Sequence, residues 1–398
     1  MAAEGRVLIV GAGPVGLVCA LSLARSGVPV RLLEANTGLP RDLRASTFHP
    51  PTLDMLDRLG LAAPLIAAGL VTPTWQIRLH ATHEKAEFDL SVLADETAHP
   101  YRLQCEQDRL TALALEALRA EPLAEIWFGV TVESVDQDGD GVTVLTRRDG
   151  ERLALRAPWL VGADGARSVV RKSVGLEFAG ETYPETTILA TTRFPFEEHL
   201  PGLSNVNYVW APGGTFSLLR LPGFWRCSLH TAAGESVEEV LTPEGVERKL
   251  QAIVPRPTPY EVQEVRPYRI HQRVVETYRV GRVLLAGDAA HLNSPSGGMG
   301  MNGGVHDAVN LSDKLARVWR GGDDALLDLY VRQRRPIAVE EILAQADRNR
   351  ARMRETSDER RREMLRDLQD VAADPVRAKA HLMRSSMIEG LRRAEAIR

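Results

Sequence analysis

The sequence predicts an α/β fold: a parallel sheet, interrupted twice by pieces of an antiparallel sheet, with a helical C-terminal tail. Three observations predict it. A strand, a glycine turn, a helix and a second strand follow one another between Arg6 and Glu34. The pattern then turns to strand-like alternation around Trp75–Leu93, and again from Glu181 to about Arg266. From Asp324 onward it is helical and rich in arginine.

Taken in order, Arg6–Val10 is a short apolar run and Gly16–Ser26 has helical spacing through Leu17, Ala20, Leu21 and Ala24. Pro29–Glu34 completes a unit of the length that a parallel crossover requires. Thr52–Leu59 reads as helix, the alternating Gln76-Ile77-Arg78-Leu79-His80 as strand, and Asp108–Arg119 as helix. Val130–Thr146 predicts a hairpin turning at Asp138-Gly139-Asp140-Gly141. Strands follow at Val206–Trp210, Thr215–Leu221 and Trp225–Thr231, then a helix near Val237–Ile253. A buried strand at Arg282–Ala286 leads through a glycine-rich loop to a helix over Gly303–Val318. The expected division is residues 1–73, 100–178 and 267–325 for the parallel domain, 74–99 and 179–266 for the antiparallel sheet, and 326–398 for the tail. Charges alternate in sign over Arg348–Arg362, which predicts a solvated helix face.

The 398 residues are 44% apolar and 26% charged, ordinary for a globular protein. A net charge of −4 gives no electrostatic reason to expect nucleic acid as a partner. Cys19, Cys105 and Cys227 are far apart and form no Cys-x-x-Cys, so neither a metal site nor a disulfide framework is expected, and a cytoplasmic location fits. Arg25 and several glycines break the apolar run from Val7 to Val30, and no membrane span is expected.

The chemistry lies in three separated motifs. Gly11-Ala12-Gly13-Pro14-Val15-Gly16 follows a strand and opens a helix. Glycines there permit close backbone approach, and the helix N-terminus offers N–H groups to a pyrophosphate. Glu34, followed by Ala35, ends the second strand where a carboxylate accepts hydrogen bonds from a ribose. This motif alone does not separate FAD from NAD. The second motif is Gly162-Ala163-Asp164-Gly165-Ala166-Arg167-Ser168. The third, Ala286-Gly287-Asp288, ends a buried strand, where a carboxylate suits a polyol such as a ribityl chain; the competing reading of Asp288 is a helix N-cap. Gly298-x-Gly300-x-x-Gly303 repeats the glycine pattern formally, but no strand immediately precedes it.

Together the motifs resemble the class A FAD-dependent monooxygenases, the para-hydroxybenzoate hydroxylase type of aromatic hydroxylase. The match is densest from Gly287-Asp288-Ala289-Ala290-His291 through Gly298-Met299-Gly300-Met301-Asn302-Gly303 to Asp307-Ala308-Val309-Asn310-Leu311. The resemblance implies a Rossmann-like FAD-binding domain beside a substrate-binding β-sheet. It implies Glu34 on the adenosine ribose, Arg44 near the diphosphate, Gln104 beside the flavin and Arg109 on the cofactor. Asp164, Arg167 and Ser168 would serve both FAD and the nicotinamide donor. Asp288 would hold the ribityl chain, with Gly287, Pro295, Gly298, Gly300, Met301 and Asn302 around the flavin. Departures from the family pattern are Ser294-Pro295 for two prolines, Met299 for a glutamine and Asp313 for a tryptophan.

The implied reaction is reduction of bound FAD by NADH or NADPH, formation of a C4a-hydroperoxide with O₂, and hydroxyl transfer to a phenolic or heteroaromatic small molecule. The competing readings are an epoxidase or reductase on the same fold, or a non-catalytic flavin carrier. Tyr208, Trp210, Arg220, Trp225, Arg226 and His230 are the candidates for substrate contact, with Pro295 at the loop. Arg220, in the otherwise apolar Phe216–Leu221, is the expected anion or phenolate partner; the solvent face of an edge strand is its alternative. Oligomeric state is open, a homodimer included.

Overall fold

The computed structural model describes residues 5–39, 45–212, 214–231, 235–294 and 297–398. Val7–Val10 lies inside a six-stranded sheet, in parallel register with Val30–Glu34 on one side and Trp159–Gly162 on the other. Ala124–Phe128 extends one edge and Val283–Leu285 the other, with Arg279–Val280 added antiparallel. Every residue of Val7–Val10 is buried, because a parallel sheet carries cover on both faces. The helix Pro14–Arg25 packs against Met299–Trp319 and Gln107–Arg119. The hairpin expected at Val130–Thr146 is a three-stranded meander, with Glu151–Ala157 as its third strand. Its apolar side, including Val132, Val144 and Leu155, joins the same core.

The second large sheet has eight strands. In spatial order they are His291–Leu292, Val262–Val274, Ala179–Thr192, Phe224–His230, Gly214–Leu221, Val206–Ala211, Thr74–Leu79 and Lys85–Asp89. Val206–Ala211 and Thr74–Leu79 are parallel; the other pairs are antiparallel. Val262–Val274 runs on past the expected boundary at 266 and pairs with His291–Leu292, which ties this sheet to the third glycine motif. One sheet face is covered by Val237–Leu241 and Pro243–Gln251. These replace the single helix expected there: Thr242 Oγ1 accepts from Gly245 N at 3.0 Å and Pro243 takes the first helical position, so the chain restarts.

The tail consists of Ala325–Ile337, Ala344–Arg354, Asp358–Ala373, Pro375–Ser385 and Ile388–Ala396, with a π-helical turn at Ala338–Leu343 after Pro336. Leu365, Leu382 and Ile388 pack with Trp75, Ile77 and Trp210 of the large sheet. The expected solvated face over 348–362 is therefore only partly solvated. Arg350 lies 3.6 Å over the Tyr183 ring and pairs with Glu185, while Arg361, 4% exposed, donates to Ala211 O at 3.0 Å. Among the described residues, no helix is long and apolar enough to cross a membrane.

Candidate active site

The strand order sets the site. Val10, Gly162 and Leu285 end three neighbouring parallel strands, so the three motifs meet at one carboxyl edge, where ligands of such sheets bind. Gly11 has φ +104°, and a Cβ there would lie 2.4 Å from Ala163 O; Gly16 packs on the Gly11 carbonyl as closely. A Cβ on Gly13, by contrast, would meet nothing within 4 Å. No side chain caps the helix that follows, and its first turn carries no acidic residue. Close-packed glycines thus hold the turn, while the surface beside Gly13 and the positive helix end stay open to a phosphate.

Glu34 ends the adjacent strand. Its Oε2 accepts from Ala12 N at 2.8 Å and its Oε1 from Asn36 N at 2.9 Å, so it shapes the glycine turn from the side. Asp164 is the hub of the second motif: Ser168 Oγ donates to Oδ1 at 2.5 Å, and Val169 N and Val170 N donate to Oδ2 at 2.7 and 3.1 Å. Burial pushes its carboxyl up, against these bonds. Arg171 then joins two motifs, donating to Ala166 O at 3.0 Å and to Ala289 O at 3.1 Å.

The third motif rests on a buried charge network. Asp307 Oδ2 accepts from Gly287 N at 3.1 Å and lies 2.8 Å from His291 Nε2; Oδ1 accepts from Arg334 Nε at 2.7 Å. Burial alone would raise the Asp307 carboxyl, but the Arg334 guanidinium and His291 outweigh it and hold it down to about 2. Downstream, Asn302 staples the glycine-rich loop to the strand Thr47–Phe48. Its Oδ1 accepts from His49 N at 2.9 Å, and its Nδ2 donates to Thr47 O at 2.8 Å and to Gly298 O at 2.6 Å. His49 Nε2 lies 2.8 Å from Gly297 O, and Thr47 Oγ1 bonds the Gln104 amide at 3.1 Å. Burial, then the Arg102 charge, lowers His49 to about 3, so it is neutral; its buried Nδ1 has no hydrogen-bond partner among the described residues.

Next to this loop lies a cavity. Gly297 and Met299 form its loop wall, Trp75, Ile77 and Tyr208 its wall from the large sheet, and Arg102 comes from the short strand Arg102–Gln104, which pairs with Thr47–Phe48. The tail supplies the rest, including Asn349, Arg352, Met353, His381 and Ser385. Trp75 stacks on Phe88 at 4.7 Å and meets Tyr208 edge-on at 6.1 Å, which gives the cavity an aromatic wall.

Residues 4–345 match the family described as FAD binding domain. A para-nitrophenol 4-monooxygenase of Pseudomonas sp. (strain WBC-3) is 38% identical over 356 residues, covering 88% of this chain and 87% of that one. The chain belongs to the FAD-dependent aromatic monooxygenases. A 6-hydroxy-3-succinoylpyridine 3-monooxygenase of Pseudomonas putida is 34% identical over 351 residues, 88% of this chain and 89% of its own. The crystal structure of a p-nitrophenol 4-monooxygenase from Pseudomonas putida superposes with a TM-score of 0.91 at 35% identity, covering 98% and 99% of the two chains. The residues present fit FAD: an uncapped helix N-terminus behind an open glycine surface, a carboxylate at the end of the second strand, and a loop beside an aromatic slot.

The structure brings Gly11, Gly13, Pro14, Val15, Gly16, Glu34, Asp164, Gly287 and Asp288 to one edge of the monooxygenase's parallel sheet, with Ala35 exposed just beyond. Asp288 sits inside a 3₁₀ turn, Gly287–Ala289, half-buried; the cap of the later helix Met299–Trp319 is Gly298, at φ +67°. Gly300 packs on Asn293, Met301 is half-buried in the first helical turn, and Arg109 is exposed on the first turn of Gln107–Arg119. Arg44 and Pro295 lie outside the described residues.

Among the substrate candidates, Tyr208 faces the cavity and Arg220 does not. Tyr208 pairs directly with Ser217, so side-chain alternation puts Arg220 on the opposite face with Phe216 and Leu218. There it is 43% exposed, paired with Glu197 at 2.8 Å beside Trp225, whose Nε1 donates to the same carboxylate. Trp210 donates to Arg352 O at 3.0 Å; Arg226 lines another cavity, and burial lowers His230 to about 4. Arg102, Arg352 and His381 of the cavity, and Arg171 and Arg334 behind it, are functional candidates that the motifs did not single out. Only Arg171 left a signal, four residues after Arg167, which stands in the turn before the short helix Val169–Ser173.

Proposed function

We propose that the monooxygenase hydroxylates a phenolic or hydroxylated heteroaromatic ring seated in the cavity between Trp75, Tyr208 and the Gly297–Met299 loop. The observation that carries this reading is that one slot is walled both by the loop implied to face the flavin and by the antiparallel sheet. The relatives are named for a nitrophenol and a hydroxypyridine, which is the same chemical class. When bound, the flavin reduced by NADH or NADPH supplies the activation of O₂. The chain's own residues position the ring and exclude water. Trp75 and Ile77 give the ring its flat wall, Met299 closes the loop side, and the Tyr208 hydroxyl, bonded to Arg102, offers a polar group to the ring oxygen.

The test is NADH and NADPH oxidation by the holoenzyme across a panel of phenols and hydroxypyridines, with product masses. A compound that stimulates oxidation and gains one oxygen is the expected result. Ile77→Trp, which fills the slot, should abolish stimulation while FAD content stays the same. Stimulation that survives this substitution would place the substrate elsewhere.

A further inference from the structure

The charged groups that line this cavity are of one sign. Among the described residues that line it are two guanidinium groups, Arg102 and Arg352, and no carboxylate. Arg102 is 2% exposed, and its Nε and Nη1 have no hydrogen-bond partner among the described residues. Its remaining contacts are the Tyr208 hydroxyl and the Trp75 ring, whose centroid is 4.9 Å away. Trp75 Nε1, His381 Nε2 and Ser385 Oγ are likewise buried and without partners. His381 cannot act as an anion, and burial together with the Arg352, Arg384 and Arg102 charges keeps it neutral, at about 4.

A buried cation with unmet donors costs several kcal/mol unless an anion joins it. Among the described residues of the lining, no carboxylate does so. The neighbouring cavity on the same sheet, about 180 Å³, is different: it carries a carboxylate of its own, Glu264, which pairs with Arg266.

We propose that Arg102, on the short strand Arg102–Gln104 beside Thr47–Phe48, and Arg352 from the tail make this an aromatic-anion site, selecting substrates whose ring carries an oxyanion, as phenolate or carboxylate. Arg102 receives that oxygen and is the specificity-determining residue. The tail is then part of the substrate site, bringing a second cation and the His381 and Ser385 donors over the ring. The inference rests on the reading of this cavity as the substrate site.

The experiment titrates the holoenzyme with 4-nitrophenol, 4-hydroxybenzoate and neutral 4-methylphenol, following the flavin spectrum, at a pH where the first two are ionised. Arg102→Met and Arg352→Gln should each weaken binding of the two anions tenfold or more and change 4-methylphenol less than threefold. Arg102→Lys should recover part of the loss. Comparing the two anions shows whether the phenolate or a second group is the one received. FAD content reports folding, and Arg352→Gln, on a tail helix, keeps the test open if Arg102→Met does not fold. Equal binding of neutral and anionic ligands by the unaltered protein, or unchanged anion binding in both variants, overturns the proposal while leaving the substrate site in place. Failure of every ring to perturb the flavin overturns the site assignment and the proposal together.

Discussion

Replacing Asp307 by alanine tests whether the third glycine motif is held by charge. The carboxylate is fully buried and accepts from Gly287 N and Arg334 Nε while also contacting His291. Its removal leaves the Arg334 guanidinium buried and unbalanced, a change that costs about 3–5 kcal/mol. Exposed pairs such as Arg360–Glu363 contribute at most about 1 kcal/mol. Acid titration gives a second, independent measure. The folded Asp307 sits at about 2 against an ordinary 3.8, which corresponds to about 2 kcal/mol. Because the folded value is the lower one, this stability is present above the unfolded value and lost as pH falls from about 4 to about 2. The acid loss is smaller than the alanine loss because protonation keeps the hydrogen bonds that alanine deletes. The assay is urea unfolding at fixed, saturating FAD, read by circular dichroism and flavin fluorescence. Asp307→Ala should lose about 4 kcal/mol, and Asp307→Ala with Arg334→Met should recover much of it, because no lone charge remains. A single variant losing less than about 1 kcal/mol, or a double variant equal to the sum of the singles, would refute the reasoning.

Gly11→Ala should abolish FAD retention and misfold the turn, because its Cβ would meet Ala163 O at 2.4 Å. Gly13→Ala, with φ −72° and open space, should leave apoprotein stability within about 0.5 kcal/mol while weakening FAD binding at least tenfold, both readable by thermal melts with and without FAD. Asp288→Ala should purify with substoichiometric flavin and an unchanged far-ultraviolet spectrum. His49 and His381 are held neutral at about 3 and about 4, below their ordinary 6.5, so each contributes stability that is full above pH 6.5 and declines as pH falls toward the folded value. The slope is about 1.4 kcal/mol per pH unit per histidine, and His381→Leu should remove one such increment from the stability profile measured between pH 6.5 and 4.

The cofactor edge was legible in the sequence because its signals are local. A glycine that must adopt φ +104° after an apolar strand, and a carboxylate ending the next strand, can be read without the fold. That the three motifs belong to one cofactor was legible as a set, but the strand Trp159–Gly162 that brings the second to the same edge is what the sheet order adds. What failed was register. Whether Arg220 shares a face with Tyr208 depends on which residue opposes Tyr208 across the hairpin, and the observed Tyr208–Ser217 pairing turns Arg220 away.

The tail was illegible for a different physical reason. The cavity faces Arg352 and His381 across some hundred and fifty residues or more of chain from Tyr208, and no spacing within a helix announces a contact of that kind. Alternating charge over 348–362 reads as a solvated face because most such stretches bury nothing. Here the helices lie across the ends of sheet strands, so Arg350 meets Glu185 and Arg361 meets the Ala211 carbonyl. The Arg350 pair fixes the rotation of the helix that carries Arg352, the Arg361 bond holds the helix after it, and the bond from Trp210 Nε1 to Arg352 O fixes the height of the first on the sheet. Trp210→Phe should therefore loosen the tail wall without touching the cavity: KM for the stimulating aromatic rises severalfold, while FAD content and unstimulated NAD(P)H oxidation stay constant. An unchanged KM would mean that the tail is held by its apolar contacts alone, with Leu365, Leu382 and Ile388 sufficient to set the site.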